Sequence, residues 1–465
     1  MGYSERHCQL CGVSFNVARI RKADEPESAA WGNYGIDFMT AADAATACEI
    51  EGCSNIPRPE HPDPNVSAAG EHIAGPNCEL TLGYSGWRIT AEEMRDILRC
   101  LCIAAKSEDW QPEVGDKDYE VDATYCFVAG VSHSPDEFSA EEMTPVRHGL
   151  EQTMINNEAM EGLGSDEEWA IPVHEACFQM FERVSREKLG KVDLDGLWRL
   201  RDIEGDWPEG FKDPLKRSDI GIVSEQYYDC VQGTEYLVSH PLRVLGLDQL
   251  INSCALDGEA SCEVVFNVGQ AVESHYDPFA ALSPELCELL LGHLERRDVA
   301  NLRLASRCFR QLPQLYFRRL VETEMPWIWE VATLKGRKVD WHNLWCRLSA
   351  ADGGAGMDAK ERHWLQQLPQ DKNEILRQQL RKEGLTGMEM SKEWAKRSLN
   401  LKQEVDDDIK AANDAGKWPA DTRNAAEIRG LRNRRRIWED LEEIVKRIAA
   451  LPPVEEDEDA ESRVW

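Results

Sequence analysis

Apolar side chains recur along this chain with several different periods, and each period predicts its own kind of element. After Pro172, the residues Val173, Cys177, Phe181 and Val184 step four, four and three, which is one face of an amphipathic helix over 173–188. A helix nearer the carboxyl terminus is marked by Ile437, Leu441, Ile444, Ile448 and Leu451, until Pro452 and Pro453 end it. Thr90 with Glu93 is a capping-box pair that predicts a helix to about Lys106, with Met94, Ile97, Leu98 and Leu101 inward; Ser139 with Glu142 marks another helix start. Short β-branched runs at Ile220–Val223, Tyr236–Val238 and Val264–Val268 predict strands, and the four prolines of 57–64 predict an exposed loop. From about 279 the pattern is helical almost throughout, and Glu455–Glu461 reads as an acidic disordered tail.

The fold expected is therefore α+β. It comprises a mixed α/β domain over 1–270, a central three-helix element over 275–321, a mainly helical region over 322–452 and a tail over 453–465. A chain of 465 residues is long enough for such a division, because one core rarely grows past ~250–300 residues. Charge supports the first boundary. Residues 1–270 carry 21 basic and 50 acidic side chains, a net of −29, whereas the remainder carries 32 and 35, a net of −3. The total of −32 disfavours a nucleic-acid-binding surface, which needs clustered Lys and Arg. It hints at a basic client, although acidic surfaces commonly serve solubility.

No secretory leader opens the sequence, and no apolar run of ~20 residues could span a bilayer, so a cytoplasmic or nuclear location without membrane contact is expected. There thiols stay reduced, and 15 Cys point to metal ligands or buried thiols instead of disulfides.

Residues 277–321 carry the most information. Ser283 can N-cap a helix with Pro284 at its first position, and Leu286, Leu289, Leu290 and Leu294 follow as one stripe. Asp298 can cap a second helix bearing Val299, Leu302, Leu304 and Ala305, and Phe309, Leu312, Leu315 and Phe317 form a third apolar group. About 45 residues cannot bury all these side chains against one another, so part of the surface must meet something else. The order Phe279, Leu282, Pro284, Glu285, Leu286, Leu294, Asp298, Leu302, Ser306, Arg307 and Phe309 resembles the F-box, with its pattern Phe-x-x-Leu-Pro-x-Glu-Leu, Leu-x-x-x-Asp-Leu and Ser-Arg-x-Phe. One departure is visible: Ser283 stands where Pro is usual, and Pro284 follows one place later. The opening Cys-Gln-Leu-Cys-Gly, the Ile-Pro-Val-His-Glu-Ala-Cys of 171–177 and the Leu-Arg-Asn-Arg-Arg-Arg-Ile-Trp of 431–438 are similar to F-box proteins of filamentous fungi, a resemblance that implies no known substrate.

The resemblance implies a substrate-recognition subunit of a Skp-cullin-F-box ubiquitin ligase. Such a subunit docks a Skp-family adaptor, and through it a cullin, while the rest of the chain presents a protein client. The alternative is an F-box adaptor in a non-degradative complex. The docking residues it implies are Phe279, Leu282, Pro284, Glu285, Leu286, Leu290, Leu294, Val299, Leu302, Leu304, Ser306 and Phe309.

Cys8-x-x-Cys11-Gly12 has the spacing of a zinc knuckle, which needs two further ligands. His174 and Cys177 are the favoured pair, since residues i and i+3 at a helix start project to one side; Cys48 with Cys53, and His72 with Cys78, are rivals. The bland alternative makes Cys177 a buried thiol on the stripe of Val173 and Phe181. A zinc ion, if bound by four protein ligands, would be structural.

Catalysis is not expected. Gly83-Tyr84-Ser85-Gly86 misses a nucleophile elbow by one place, His174-Glu175 lacks a second His, and Gly416-Lys417 is followed by Trp418 instead of Ser or Thr. Arg432, Arg434, Arg435 and Arg436 are followed by Glu439, Asp440, Glu442 and Glu443, a pattern that predicts pairing within one helix before any phosphate grip. Trp327, Trp329, Trp341 and Trp345 could line a groove but more often form core.

Overall fold

The computed structural model describes residues 7–15, 17–30, 48, 50–57, 70–78, 80–107, 109–132, 170–204, 230, 233–256, 277–351, 376, 379–383, 393, 397 and 428–452. These fall in two compact units. One lies within Met1–Val244, Met357–Ala420 and Asn433–Trp465, the other within Leu245–Gly356 and Asp421–Arg432. Helices and small sheets are both present, so the class is α+β.

In the first unit the strands β1 (Arg19–Ile20), β2 (Ser54–Pro57), β3 (Gly70–Ile73) and β4 (Tyr84–Ser85) precede a short helix, α1 (Ala91–Met94). Then come β5 (Cys100–Ala105), α2 (Asp118–Asp122), β6 (Cys126–Ser132), β7 (Ala170–His174), α3 (Glu175–Leu189) and α4 (Leu194–Glu204). β1 pairs parallel with β4, β2 and β3 form an antiparallel pair, and β5 is the centre of an antiparallel β6-β5-β7 sheet that sets Cys100 opposite His174. β5 is buried along almost its whole length, as a strand flanked on both edges and covered on both faces must be. α3 buries Cys177, Phe181 and Val184, together with Phe178 and Met180, and Gly190 ends it in the left-handed region at φ +77°.

The second unit holds α5 (Leu247–Ser253), α6 (Pro284–His293), α7 (Arg296–Ala305), α8 (Gln314–Glu324) and α9 (Trp341–Ala351). Its core gathers Cys287, Leu291, Val299, Cys308, Phe309, Leu312, Phe317 and Leu320, with Trp341 and Trp345 packed against them. Trp327 is also buried, so these rings serve packing. The last helix, α10 (Arg429–Ala449), opens in the second unit and belongs to the first from Asn433 onward.

That portion of α10 is strongly anchored in the first unit. Trp438, Leu441 and Ile444 are fully buried, Asn433 Nδ2 donates to the carbonyls of Leu237 (3.1 Å) and Ser239 (2.8 Å), and Arg434 Nε donates to that of Pro241 at 2.5 Å. Arg435 pairs with Glu439 at 2.8 Å and Arg436 with Asp440 at 3.6 Å, the intrahelical pairing expected of the basic cluster. Arg434 and Arg436, however, are buried in this unit.

Several elements differ from the sequence expectation. The Thr90–Glu93 capping box forms, with Thr90 Oγ1 accepting from the Glu93 amide at 3.1 Å, but the helix ends at Met94. Asp96 then adopts φ +59°, and residues 100–105 become the central strand, because partners on both edges outweigh local helix preference. Pro172 and Val173 lie in β7, so the helix expected from 173 begins at Glu175. Residues Tyr236–Val238 lie in a 3-10 turn over Glu235–Val238, closed by the Leu237 amide donating to the Thr234 carbonyl at 2.9 Å and the Ser239 amide to the Tyr236 carbonyl at 3.2 Å, with Asn433 Nδ2 on the Leu237 carbonyl, instead of a strand. Glu295, not Asp298, takes the N-cap position of α7 and makes no side-chain cap bond, and Asp298 lies inside the first turn. The units divide at 244/245 and not near 270, since charge reports the solvated surface whereas compactness follows packing. The expected elements at 139–142, 220–223 and 264–268, most of the 57–64 loop and the acidic tail lie outside the described residues.

One buried imidazole ties the Glu235–Val238 region to pH. His240 Nδ1 accepts from the amides of Leu242 and Arg243, both at 3.1 Å. Burial, aided by the charge of Arg243, pushes its pKa down to about 4. An unfolded imidazole titrates near ~6.5. The stabilisation from neutral His240 is therefore complete above that value and declines as pH falls from about 6.5 towards about 4, where the unfolded chain takes up the proton first. Melting temperature followed from pH 7.5 to 4.5 is expected to fall less steeply in His240→Asn than in wild type; identical slopes would contradict this assignment.

Candidate functional site

The first unit brings together four ligand groups from two distant stretches of chain. At the amino terminus, the amides of Cys11 and Gly12 donate to the Cys8 carbonyl (3.3 and 2.8 Å), the Cys8 amide donates to the Val13 carbonyl (3.0 Å), and Gly12 takes φ +74°. This tight turn aims both thiols the same way, and glycine supplies the left-handed residue that it needs. The second pair sits where β7 becomes α3. His174 is the N-cap residue of α3, and Cys177 lies one turn into it, so both project to one side. The Gln9 amide donates to the Pro172 carbonyl at 3.0 Å and fastens the knuckle to this junction.

The ligand atoms of Cys8, Cys11, His174 and Cys177 all lie within 4.8 Å of one another, and all four residues are buried. Cys11 Sγ is 3.4 Å and Cys177 Sγ 3.9 Å from His174 Nδ1. A tetrahedral ion with bonds of ~2.3 Å to sulfur and ~2.0 Å to nitrogen places such atoms about 3.5 Å apart, so the donor set and its spacing fit a metal ion. The His174 amide donates to Cys8 Sγ at 3.2 Å, the Phe15 ring lies 4.3 Å from the imidazole, and Arg436 Nη1 donates to the Cys11 carbonyl at 2.8 Å. α10 thus braces the knuckle from behind.

Within the cluster, sulfur and imidazole shift one another's protonation. Burial opposes charge on Cys11, yet hydrogen bonds from Cys177 and Cys8 and the charge of His174 hold its thiol well below the usual range. Burial likewise opposes charge on His174, and the sulfurs of Cys8 and Cys11 overcome it, raising the imidazole to about 10. Bonding with Cys11 and Cys8 pushes the Cys177 thiol up. A metal ion bound by this group would displace these protons, because its ligands are thiolates and a neutral imidazole. With four protein ligands, no position remains for a reacting water.

The rival ligands do not complete this knuckle. Cys48, Cys53, His72 and Cys78 join one another instead, as a second group whose ligand atoms also lie within 4.8 Å and which can also hold an ion. Spacing in sequence identifies knuckles and leaves their pairing open, whereas the β2–β3 register, with Ser54 opposite Ile73 and Asn55 opposite His72, decides it.

The residues of the F-box resemblance separate into two sets. Val299, Ser306 and Phe309 are buried, and Phe279, Leu282, Leu290, Leu294 and Leu302 are half-buried against the core of their own unit, so they hold the helices together. Phe279 meets Phe309 edge to face at 5.5 Å. Asp277 closes the element: its carboxylate accepts from the Phe279 amide (3.1 Å), Ser306 Oγ (2.8 Å), the Arg307 amide (2.9 Å) and the Cys308 amide (3.2 Å). Desolvation opposes its charge, but these donors hold the carboxyl below its ordinary range. Pro284, Glu285, Leu286 and Leu304 face outward, with Leu286 at 50% and Leu304 at 89% exposure. Leu289, at 60%, joins them, while Cys287 and Leu291 are the residues that α6 buries. The sequence stripe of Leu286, Leu289, Leu290 and Leu294 therefore mixes both faces, because with leucines at so many positions of one turn, periodicity cannot tell which side turns inward.

Among the described residues no helix is long and apolar enough to cross a membrane. The chain gives no match to protein-family models, to curated proteins or to solved structures.

Proposed function

We propose that this protein is a docking subunit of the F-box type, in which residues 277–321 bind a Skp-family adaptor and through it a cullin, while the first unit presents a protein client for ubiquitination. The observation that carries the reading is the outward set Leu286, Leu289 and Leu304 on helices whose other faces already fill a core. Leucines left in water on a well-packed helical element suit the groove of a partner, where buried aliphatic anchors dominate affinity. A zinc ion at Cys8, Cys11, His174 and Cys177 would serve this role as a structural pin, and the reading assigns no chemistry to the chain itself.

Co-purification with a recombinant Skp-family adaptor tests the docking. Wild type is expected to retain the adaptor, and Leu286→Asp with Leu289→Asp to weaken it by at least ~30-fold, which is about 2 kcal/mol of hot-spot energy. Because both leucines are exposed, the melting temperature should stay near wild type. Retention of the adaptor by the double variant, or its absence with wild type, rejects the docking face. Cullin recovered alongside the adaptor supports ligase assembly; adaptor recovered alone favours a non-degradative complex.

A further inference from the structure

Three thiols and an imidazole that the docking reading does not use converge at the far ends of β2 and β3. Two turns deliver Cys53 and Cys78, while His72 comes from β3 and Cys48 from just before the first turn. The first, at 50–53, is closed by the Cys53 amide donating to the Ile50 carbonyl at 3.1 Å, with Gly52 at φ +93°. The second, at 75–78, is closed by the Cys78 amide donating to the Gly75 carbonyl at 3.1 Å. These turns touch backbone to backbone. A Cβ on Gly75 would lie 2.5 Å from the Gly52 carbonyl carbon and 2.8 Å from the Cys53 nitrogen, so only glycine lets them meet. The Gly75 amide donates to Cys53 Sγ at 3.3 Å, an amide-to-sulfur bond that suits a thiolate ligand.

The imidazole is already oriented as a ligand. His72 Nδ1 lies 2.7 Å from Asn55 Oδ1, its partner across the β2–β3 pair, and that oxygen can only accept. The proton therefore sits on Nδ1, and the lone pair of Nε2 faces Cys78 Sγ at 3.4 Å. Cys48 Sγ and Cys53 Sγ are 3.6 Å apart, close to the edge of a zinc tetrahedron and well beyond the ~2.05 Å of a disulfide. A disulfide would also employ only two of the four groups.

We propose that Cys48, Cys53, His72 and Cys78 bind a second structural zinc ion, independent of the cluster at Cys8, Cys11, His174 and Cys177. Three sulfurs and one imidazole nitrogen select zinc over harder cations, and four protein ligands close its coordination. The ion pins the β2–β3 pair to β1, beside which Ile20, Ala74 and Cys78 form a small buried cluster. The Ala74 amide already donates to the Arg21 carbonyl at 3.0 Å, and Arg21 pairs with Glu71 at 2.7 Å. This assignment stands apart from the docking reading.

Zinc content of the full-length protein, purified without chelator and measured by plasma mass spectrometry, is the test. Wild type is expected to hold two ions per chain, Cys53→Ser one, and Cys11→Ser one. One ion in wild type that persists in Cys53→Ser, or no ion at all, overturns the second site. One ion lost in Cys53→Ser but kept in Cys11→Ser upholds it and removes the first site instead. Should Cys53→Ser fail to fold, His72→Cys decides, because a fourth thiol preserves four ligands. That variant is expected to keep two ions and, after cobalt substitution, to gain thiolate-to-metal charge-transfer intensity over wild type; unchanged intensity overturns the proposal.

Discussion

Cys11→Ser is expected to lower the unfolding transition of the first unit markedly, without abolishing it, while leaving that of the second in place. Structural zinc in small fingers contributes on the order of 10–16 kcal/mol of apparent free energy at neutral pH, comparable to or larger than the ~5–15 kcal/mol by which whole domains are stable. The Cys8–Cys177 cluster joins the amino-terminal knuckle to the β7–α3 junction, and Arg436 of α10 holds the knuckle through the Cys11 carbonyl. If the group holds an ion, its loss would leave a buried, crowded set of thiols and an imidazole with no bond joining the two stretches of chain. The core of the second unit, centred on Phe309 and Leu291, contains none of these residues. Scanning calorimetry should show one transition moved to lower temperature and one retained, and near-ultraviolet circular dichroism a diminished tertiary signal at temperatures between the two. An unchanged first transition in a variant shown to lack the ion would mean that the cluster is only buried thiols.

Phe309→Ala is expected to cost about 3–5 kcal/mol of the second unit's stability. The ring is fully buried, meets Phe279 edge to face and lies among Cys287, Leu291, Val299 and Leu312, so truncation leaves a cavity that α6, α7 and α8 can close only by moving. For a unit of this size the transition should fall by about 10 °C or more. Adaptor binding should weaken as well, but through loss of the folded element, so lowering the temperature should recover it. Leu286→Asp with Leu289→Asp should behave oppositely, with binding lost at every temperature and stability retained. If Phe309→Ala melted like wild type, the ring would not occupy the core position described here.

Much of the site is legible in the amino-acid sequence. The Cys8-x-x-Cys11-Gly12 spacing encodes its own turn, since two thiols three residues apart followed by glycine can close in only a few ways. His174 and Cys177, one turn apart beside an apolar stripe, were likewise readable as a pair with a common direction. α3 is readable to within two residues at either end, and α10 at its carboxyl end, whereas its start at Arg429 precedes the first position of its apolar stripe, Ile437, by more than two turns. The capping box at Thr90 was readable too, because it is made by residues three apart.

The amino-acid order by itself thus determined the local devices: knuckles, caps, amphipathic stripes and the sequence of apolar residues from Phe279 to Phe309. Tertiary structure alone decided how they combine. It matched Cys8 and Cys11 with ligands 163 residues from the nearer of the two, gathered Cys48, Cys53, His72 and Cys78 into a separate group, converted 100–105 from expected helix to central strand, and chose which leucines of α6 face water. The physical reason is range: turns and caps are settled by hydrogen bonds between residues a few positions apart, whereas strand pairing, ligand partnership and burial depend on surfaces supplied by remote parts of the chain.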